Sequence, residues 1–106
     1  YDLVYSHAVI DHVYDIDEFL RRIVKLCGKY AYVNAYRGFF PNLTDHKMNW
    51  RDDDHCYYND LSVTKTKKIL LAAGLSEDEF LIRKQENKDS TGKIWNETVI
   101  EIFLKK

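Results

Sequence analysis

Two strand-like segments joined by a short polar turn occupy the last quarter of the sequence. The first is Phe80-Leu81-Ile82, the turn lies around Asp89-Ser90-Thr91-Gly92, and the second runs from Trp95 to Leu104. So short a connection requires the two strands to be antiparallel. A sheet that includes both segments must therefore contain at least one reversed strand.

The first part of the chain predicts a strand followed by a helix. Residues 1–6 contain an apolar Leu-Val-Tyr run that ends at polar residues, a pattern typical of a buried strand that stops at a functional edge. Asp15 stands three residues before Glu18 and opens a series of apolar residues spaced by three and four, which predicts a capping box and an amphipathic helix. Gly28 is expected to end this helix in the left-handed conformation.

The middle of the chain predicts a second strand, a long loop and a second helix. Residues 30–36 are rich in aromatic and small residues and favour a buried strand, whereas residues 37–60 have no period and are interpreted as a lid or binding loop. Ser62 is expected to cap a helix that runs to about Ala73 and ends at Gly74. The order of elements predicts an α/β fold, with a mainly parallel sheet and an antiparallel terminal hairpin.

Composition narrows the class of protein. The chain has 106 residues, of which 45% are hydrophobic, and its formal net charge is -1, so a nucleic-acid partner is not indicated. No apolar run approaches the roughly 20 residues that a membrane span requires, and we expect no membrane partner. Cys27 and Cys56 lie far apart and are interpreted as reduced thiols of a cytoplasmic protein.

The opening of the chain resembles the class I S-adenosylmethionine-dependent methyltransferases. Residues 1–13, Tyr-Asp-Leu-Val-Tyr-Ser-His-Ala-Val-Ile-Asp-His-Val, and then residues 15–20, are similar to the family pattern F-D-L-V-x-S-x-x-V-L-E-H-V-x-D-x-x-x-F-L. That pattern covers the family's fourth strand, the following turn and the next helix. Residues 61–75 look like its L-S…L-L-x-x-A-G-F helix, and the terminal hairpin is similar to its reversed last strand.

This resemblance implies that residues 1–106 form a single partial domain, the C-terminal half of a Rossmann-like methyltransferase sheet of the domain 11/12 type. The family's glycine-rich loop, which holds most of the cofactor, would lie upstream of Tyr1. We expect it in a strand-turn-helix within roughly 80 residues of that position.

Ligands of open α/β sheets bind beyond the carboxyl ends of the strands, which selects the candidate site residues. The resemblance implies S-adenosylmethionine as the cofactor, and the residues predicted to bind it are Ser6, His7, Ala8 and His12. The residues predicted to bind the acceptor are Tyr36, Arg37, Trp50, Tyr57 and Tyr58.

Two histidines are candidate general bases. His7 and His46 could accept a proton, which methyl transfer requires only when the acceptor begins protonated. The alternative for His7 is a polar residue exposed at a strand end by chance. The alternative for His12 is a hydrogen bond that fixes the turn between strand and helix.

No metal is predicted. Ala8 occupies a position at which metal-binding relatives carry a carboxylate, and the spacing of His46, Asp54 and His55 fits no recognised pattern of ligands.

The sequence thus predicts methyl transfer to a small-molecule acceptor, with this chain supplying the acceptor-side half of the site. It leaves open whether the acceptor atom is oxygen, nitrogen or carbon. One alternative is a truncated domain that acts as an assembly module and forms a homo-oligomer through an exposed first strand. Another is a nucleotide-binding enzyme of different chemistry.

Overall fold

A computed structural model describes residues 2–104 of the chain. Its strands are β1 (Leu3–His7), β2 (Tyr30–Ala35), β3 (Lys47–Arg51), β4 (Cys56–Asp60), β5 (Phe80–Lys88) and β6 (Ile94–Phe103). Its helices are α1 (Ile16–Leu26) and α2 (Val63–Ala72), with short 3-10 turns at Ile10–His12 and Glu77–Glu79. None of these helices is long and apolar enough to cross a membrane. The predicted α/β class and terminal hairpin are confirmed, while residue 1 of the predicted first strand lies outside the described residues.

The main sheet has four strands in the order β1-β2-β6-β5. β1 pairs with β2 in parallel, whereas β6 is antiparallel to both of its neighbours. The prediction of a mainly parallel sheet is therefore wrong for this part of the chain. A single reversed strand accounts for the difference, because β6 lies between β2 and β5 and makes both of their pairings antiparallel.

Helix α1 begins as predicted but ends differently. The Asp15 carboxylate accepts a hydrogen bond from the Glu18 backbone N–H at 3.0 Å. The reciprocal half of the predicted capping box is replaced by ion pairing, because the Glu18 carboxylate lies 3.1 Å from Arg22 one turn further on. At the other end of α1, the prediction that Gly28 adopts the left-handed conformation is wrong. The chain instead leaves the helix at Cys27 in an extended conformation with ψ of 119°.

Helix α2 is bounded by the residues that the sequence indicated. The Ser62 hydroxyl oxygen accepts a hydrogen bond from the Lys65 backbone N–H at 3.0 Å, which caps the first turn. Gly74 follows the helix with φ of +106°, the left-handed conformation that only glycine adopts without strain. The predicted start and stop of this helix are confirmed.

The predicted loop at 37–60 is wrong over its second half, where β3 and β4 form an antiparallel hairpin. Its turn contains His55 in the left-handed conformation, with φ of +51°. Met48 and Trp50 alternate with polar residues along β3, which is a period-two signal for a strand that the loop prediction did not use. The signal is short, since it spans five residues, of which four are exposed.

Both helices contribute to one core, on one face of the main sheet. The buried residues of this core include Ile10, Leu20, Ile23, Ala31, Val33, Leu70, Ile100 and Ile102. On the opposite face, Leu3 is 62% and Tyr5 is 64% exposed. The prediction that β1 is a buried strand is therefore wrong, since β1 is an edge strand with one open face.

Candidate functional site

The carboxyl ends of β1 and β2 meet at one edge of the sheet, as the sequence predicted. His7 pairs with Asn34 in the parallel register, and the Ala8 backbone N–H donates a hydrogen bond to the Asn34 carbonyl at 2.9 Å. Ala8 has φ of +57°, a left-handed conformation that is costly for a residue with a Cβ and turns the chain out of the sheet. Ser6 lies just before this turn, and its hydroxyl is buried without a hydrogen-bond partner among the described residues.

Asp11 joins the turn after β1 to the segment after β2. Its carboxylate is fully buried and accepts hydrogen bonds from the backbone N–H groups of Tyr36 at 3.1 Å and Arg37 at 3.3 Å. Burial raises the pKa of Asp11, and the two backbone hydrogen bonds oppose that rise. Asp11 thereby fixes the backbone of two residues predicted to bind the acceptor. Sequence reasoning assigned it no role, although an acidic residue directly after the apolar Val9 and Ile10 is a usable signal.

His12 connects this turn to the β3–β4 hairpin. Its Nδ1 lies 2.7 Å from the Tyr57 carbonyl oxygen, which can only accept, so Nδ1 carries a proton. The imidazole also packs edge-on against Tyr58, with ring centroids 4.8 Å apart, and lies 5.8 Å from the Tyr36 ring. The hydrogen bond to Tyr57 agrees with the alternative in which His12 fixes the turn.

Tyr58 is the centre of a cluster of aromatic and cationic side chains. The guanidinium groups of Arg37 and Arg51 lie 5.6 and 5.0 Å from its ring centroid. Arg37 is also paired with Asp60 at 3.2 Å. The Tyr58 hydroxyl donates a hydrogen bond to Asp54, which raises the pKa of Tyr58 to about 12. The structure thus brings the predicted residues Tyr36, Arg37, Tyr57 and Tyr58 together around His12.

A cavity of about 400 Å³ lies beside the N-termini of both helices and next to the β3–β4 hairpin. Its lining residues are Tyr14, Asp15, Ile16, Asp17, Asp45, His46, Met48, Tyr57 and Lys65. Trp50, a predicted acceptor residue, is 52% exposed on the hairpin, with its ring centroid 5.2 Å from that of Tyr57.

His46 is enclosed by protein on both sides of its ring. Nδ1 accepts a hydrogen bond from the Ser62 backbone N–H at 3.0 Å, and Nε2 lies 3.4 Å from an Asp17 carboxylate oxygen. Burial lowers the pKa of His46, although the nearby Asp17 charge opposes this. His7 extends from the end of β1 on the open face of the sheet, so the two predicted bases lie on different faces.

No group of three or more His, Cys, Asp or Glu residues between positions 2 and 104 could hold a metal ion.

No protein-family model matches the chain, and no curated protein is significantly similar to it. Among solved structures, the chain is similar to the crystal structure of a SAM-dependent methyltransferase from Methanosarcina mazei, with a TM-score of 0.51 and 15% sequence identity. The match covers 97% of this chain but 58% of that chain, so this sequence spans less than two thirds of the solved protein. The likeness shows that the small mixed sheet and its helices have the fold of part of a methyltransferase.

Proposed function

We propose that the protein takes part in S-adenosylmethionine-dependent methyl transfer to a small-molecule acceptor. The observation that carries this proposal is the fold, which is shared over nearly the whole chain with a solved SAM-dependent methyltransferase. The edge at which β1 and β2 end supports it, because ligands of such sheets bind beyond the carboxyl ends of the strands.

The turn after β1 fits one side of the cofactor. The buried Ser6 hydroxyl has no hydrogen-bond partner within residues 2–104 and so can form a hydrogen bond with a bound group. Ser6, His7 and Ala8 would hold the cofactor here, in line with the resemblance of this segment to the methyltransferase strand and turn. When bound, S-adenosylmethionine supplies a methyl group on a sulfonium centre.

The cluster around Tyr58 fits the acceptor side. Tyr36 and Tyr58 contact His12, and aromatic walls with a few polar groups suit a site that encloses an organic molecule and excludes water. The role of these residues is to align the acceptor, since correct alignment supplies much of the rate of such a displacement.

His7 is the better candidate for a general base. It is exposed at the end of β1, beside the residues proposed to hold the cofactor. The His46 side chain is 7% exposed, and both of its ring nitrogens face protein atoms.

Calorimetric titration of the full-length gene product with S-adenosylmethionine, followed by competition with S-adenosylhomocysteine, tests the proposal. We expect measurable heat, and Ser6→Ala should weaken binding by roughly twofold to tenfold, the effect of one hydrogen bond. Ser90→Ala, in the exposed turn between β5 and β6, is the matched control and should bind as the unchanged protein does. Absence of both heat and competition would contradict the proposal.

A second proposed function is self-assembly through β1. β1 lies at the edge of the sheet, and its Leu3 and Tyr5 side chains are exposed, so its outer side can pair with another strand. Sedimentation equilibrium should then show a dimer, and Val4→Pro, which removes one backbone donor and disfavours extended pairing, should weaken it. A monomer at all accessible concentrations would exclude this function.

A further inference from the structure

Glu97 is a buried carboxylate that has no cationic partner among residues 2–104. It is 7% exposed on β6 and accepts hydrogen bonds from Asn34 Nδ2 at 2.6 Å, from the Trp95 indole Nε1 at 2.7 Å and from Asn87 Nδ2. Within residues 2–104, its carboxylate belongs to none of the ion pairs with Lys, Arg or His at 4.0 Å or less. Buried charges in proteins are normally paired with an opposite charge, so this arrangement requires an explanation.

The Asn34 side-chain oxygen is a second hydrogen-bond acceptor at this place, and no described residue donates to it. A carboxylate can only accept, so the amide must direct Nδ2 towards Glu97 and Oδ1 away from it. Asn34 is 2% exposed, and its Oδ1 is buried without a hydrogen-bond partner in the part of the chain that the structure describes. A carboxylate offers roughly four lone-pair positions, of which Glu97 uses three. The Glu97–Asn34 pair therefore retains two free acceptor positions, one on the amide oxygen and one on the carboxylate. It also retains one negative charge that no cation balances among the described residues.

The pair lies next to the proposed methyl-transfer site. Asn34 is directly opposite His7 in the β1–β2 register, so the two side chains extend from the same face of the sheet. Trp95, 36% exposed, adds an aromatic ring beside the carboxylate. An aromatic ring next to a carboxylate is a favourable environment for an organic cation.

We infer that Glu97, Asn34 and Trp95 form a binding site for a protonated amine. An ammonium group supplies the missing positive charge and also N–H donors for Glu97 and Asn34 Oδ1. A sulfonium group would supply the positive charge but no N–H donor. The ammonium belongs either to the methyl acceptor or to the cofactor's own amino group. Its assignment to the acceptor rests on the proposed function, whereas amine binding itself does not.

The first experiment measures amine binding to the unchanged protein without cofactor. Phenethylamine is the probe, and 2-phenylethanol, of nearly the same shape but uncharged, is its control. We expect the Trp95 indole N–H resonance to shift with phenethylamine and not with 2-phenylethanol. Equal responses to the two compounds would overturn the inference.

The second experiment uses Glu97→Gln. The Asn34 amide can rotate to accept from the new Gln amide, so the substitution keeps a hydrogen bond while it removes the charge. We expect phenethylamine to bind about tenfold more weakly or worse, as for the loss of a charge-assisted hydrogen bond. Glu86→Gln, at an exposed position of β5, is the matched control and should bind phenethylamine unchanged.

Titrating Glu97→Gln with S-adenosylhomocysteine separates the two sources of the ammonium. Weakened binding of phenethylamine alone assigns the site to the acceptor, and a parallel loss of S-adenosylhomocysteine affinity assigns it to the cofactor's amino group. If the affinity of neither compound changes, the inference is wrong. If phenethylamine binds but no cofactor does, the proposed function fails while the amine site stands.

Discussion

Asn59 connects the β3–β4 hairpin to the turn after β1 through side-chain hydrogen bonds. Its replacement by aspartate tests how much these hydrogen bonds contribute to the free energy of unfolding. The residue is fully buried, and its Nδ2 donates hydrogen bonds to the carbonyls of Ile10 at 3.1 Å and Val13 at 2.9 Å. Asn59→Asp keeps the shape of the side chain but exchanges the donor for an acceptor. Two buried carbonyls then face a carboxylate.

The expected loss follows from these contacts. Two hydrogen bonds contribute about 1 kcal/mol each, and a buried, unpaired carboxylate costs several kcal/mol more. We therefore expect the free energy of unfolding to fall by about 4 kcal/mol at pH 7, a large share of the roughly 5–15 kcal/mol of a typical domain.

This loss should depend on pH with a definite sign. Burial beside two carbonyls raises the folded-state pKa of the new carboxyl, so stability is lost as pH rises above its unfolded value of about 3.9. Urea unfolding of Asn59→Asp at pH 7 and at about pH 4 should show a smaller deficit in acid, where the protonated carboxyl can donate one hydrogen bond. Asn42→Asp, at an exposed position, is the control and should change stability little. A deficit below about 1 kcal/mol, or one that is the same at both pH values, would refute this reasoning.

Three further changes test local features of the fold. Ser62→Ala removes the hydroxyl that caps α2 at the Lys65 N–H and should cost about 1–2 kcal/mol by urea unfolding, whereas the exposed Thr64→Ala should cost much less. Burial lowers the folded pKa of His46 below its usual 6.5, so stability should fall as pH drops from that value. His46→Gln should abolish this part of the pH dependence, and an unchanged profile would contradict the assignment. Gly74→Ala places a Cβ at φ of +106°, with no neighbour within 4 Å, so strain alone should destabilise the protein by about 1 kcal/mol in thermal unfolding.

The elements that the sequence predicts well are those that local chemistry determines. Asp15 and Ser62 each accept a hydrogen bond from a backbone N–H three residues on, and such caps can be recognised without tertiary information. The terminal hairpin was predictable for a similar reason, since a short polar turn permits few geometries.

The errors arise where distant partners decide the structure. The position of β6 between β2 and β5 depends on pairings such as Tyr30 with Phe103, and no pattern within either strand specifies its neighbour. The β3–β4 hairpin was missed because the alternation of Met48 and Trp50 with polar residues spans only five positions, most of them exposed.

The same distinction between local and distant contacts applies to the candidate site. Ser6 and His7 at the end of β1, and Ala8 directly after it, lie at the edge of the sheet that was predicted from the ends of the strands. The hydrogen bonds of Asp11 to Tyr36 and of Glu97 to Asn34 were not predictable, because the partners lie 25 and 63 residues apart in sequence.

The central position of β6 also determines when the protein can fold during synthesis. β6 is made after the other described strands, yet it is the strand that joins β2 to β5. While the ribosome is still adding these residues, β2 has one free side and the apolar groups of α1 and α2 lack Ile100 and Ile102 as partners. Such long-range closure makes folding slow, and the apolar surface of the emerging polypeptide stays exposed until translation has passed β6.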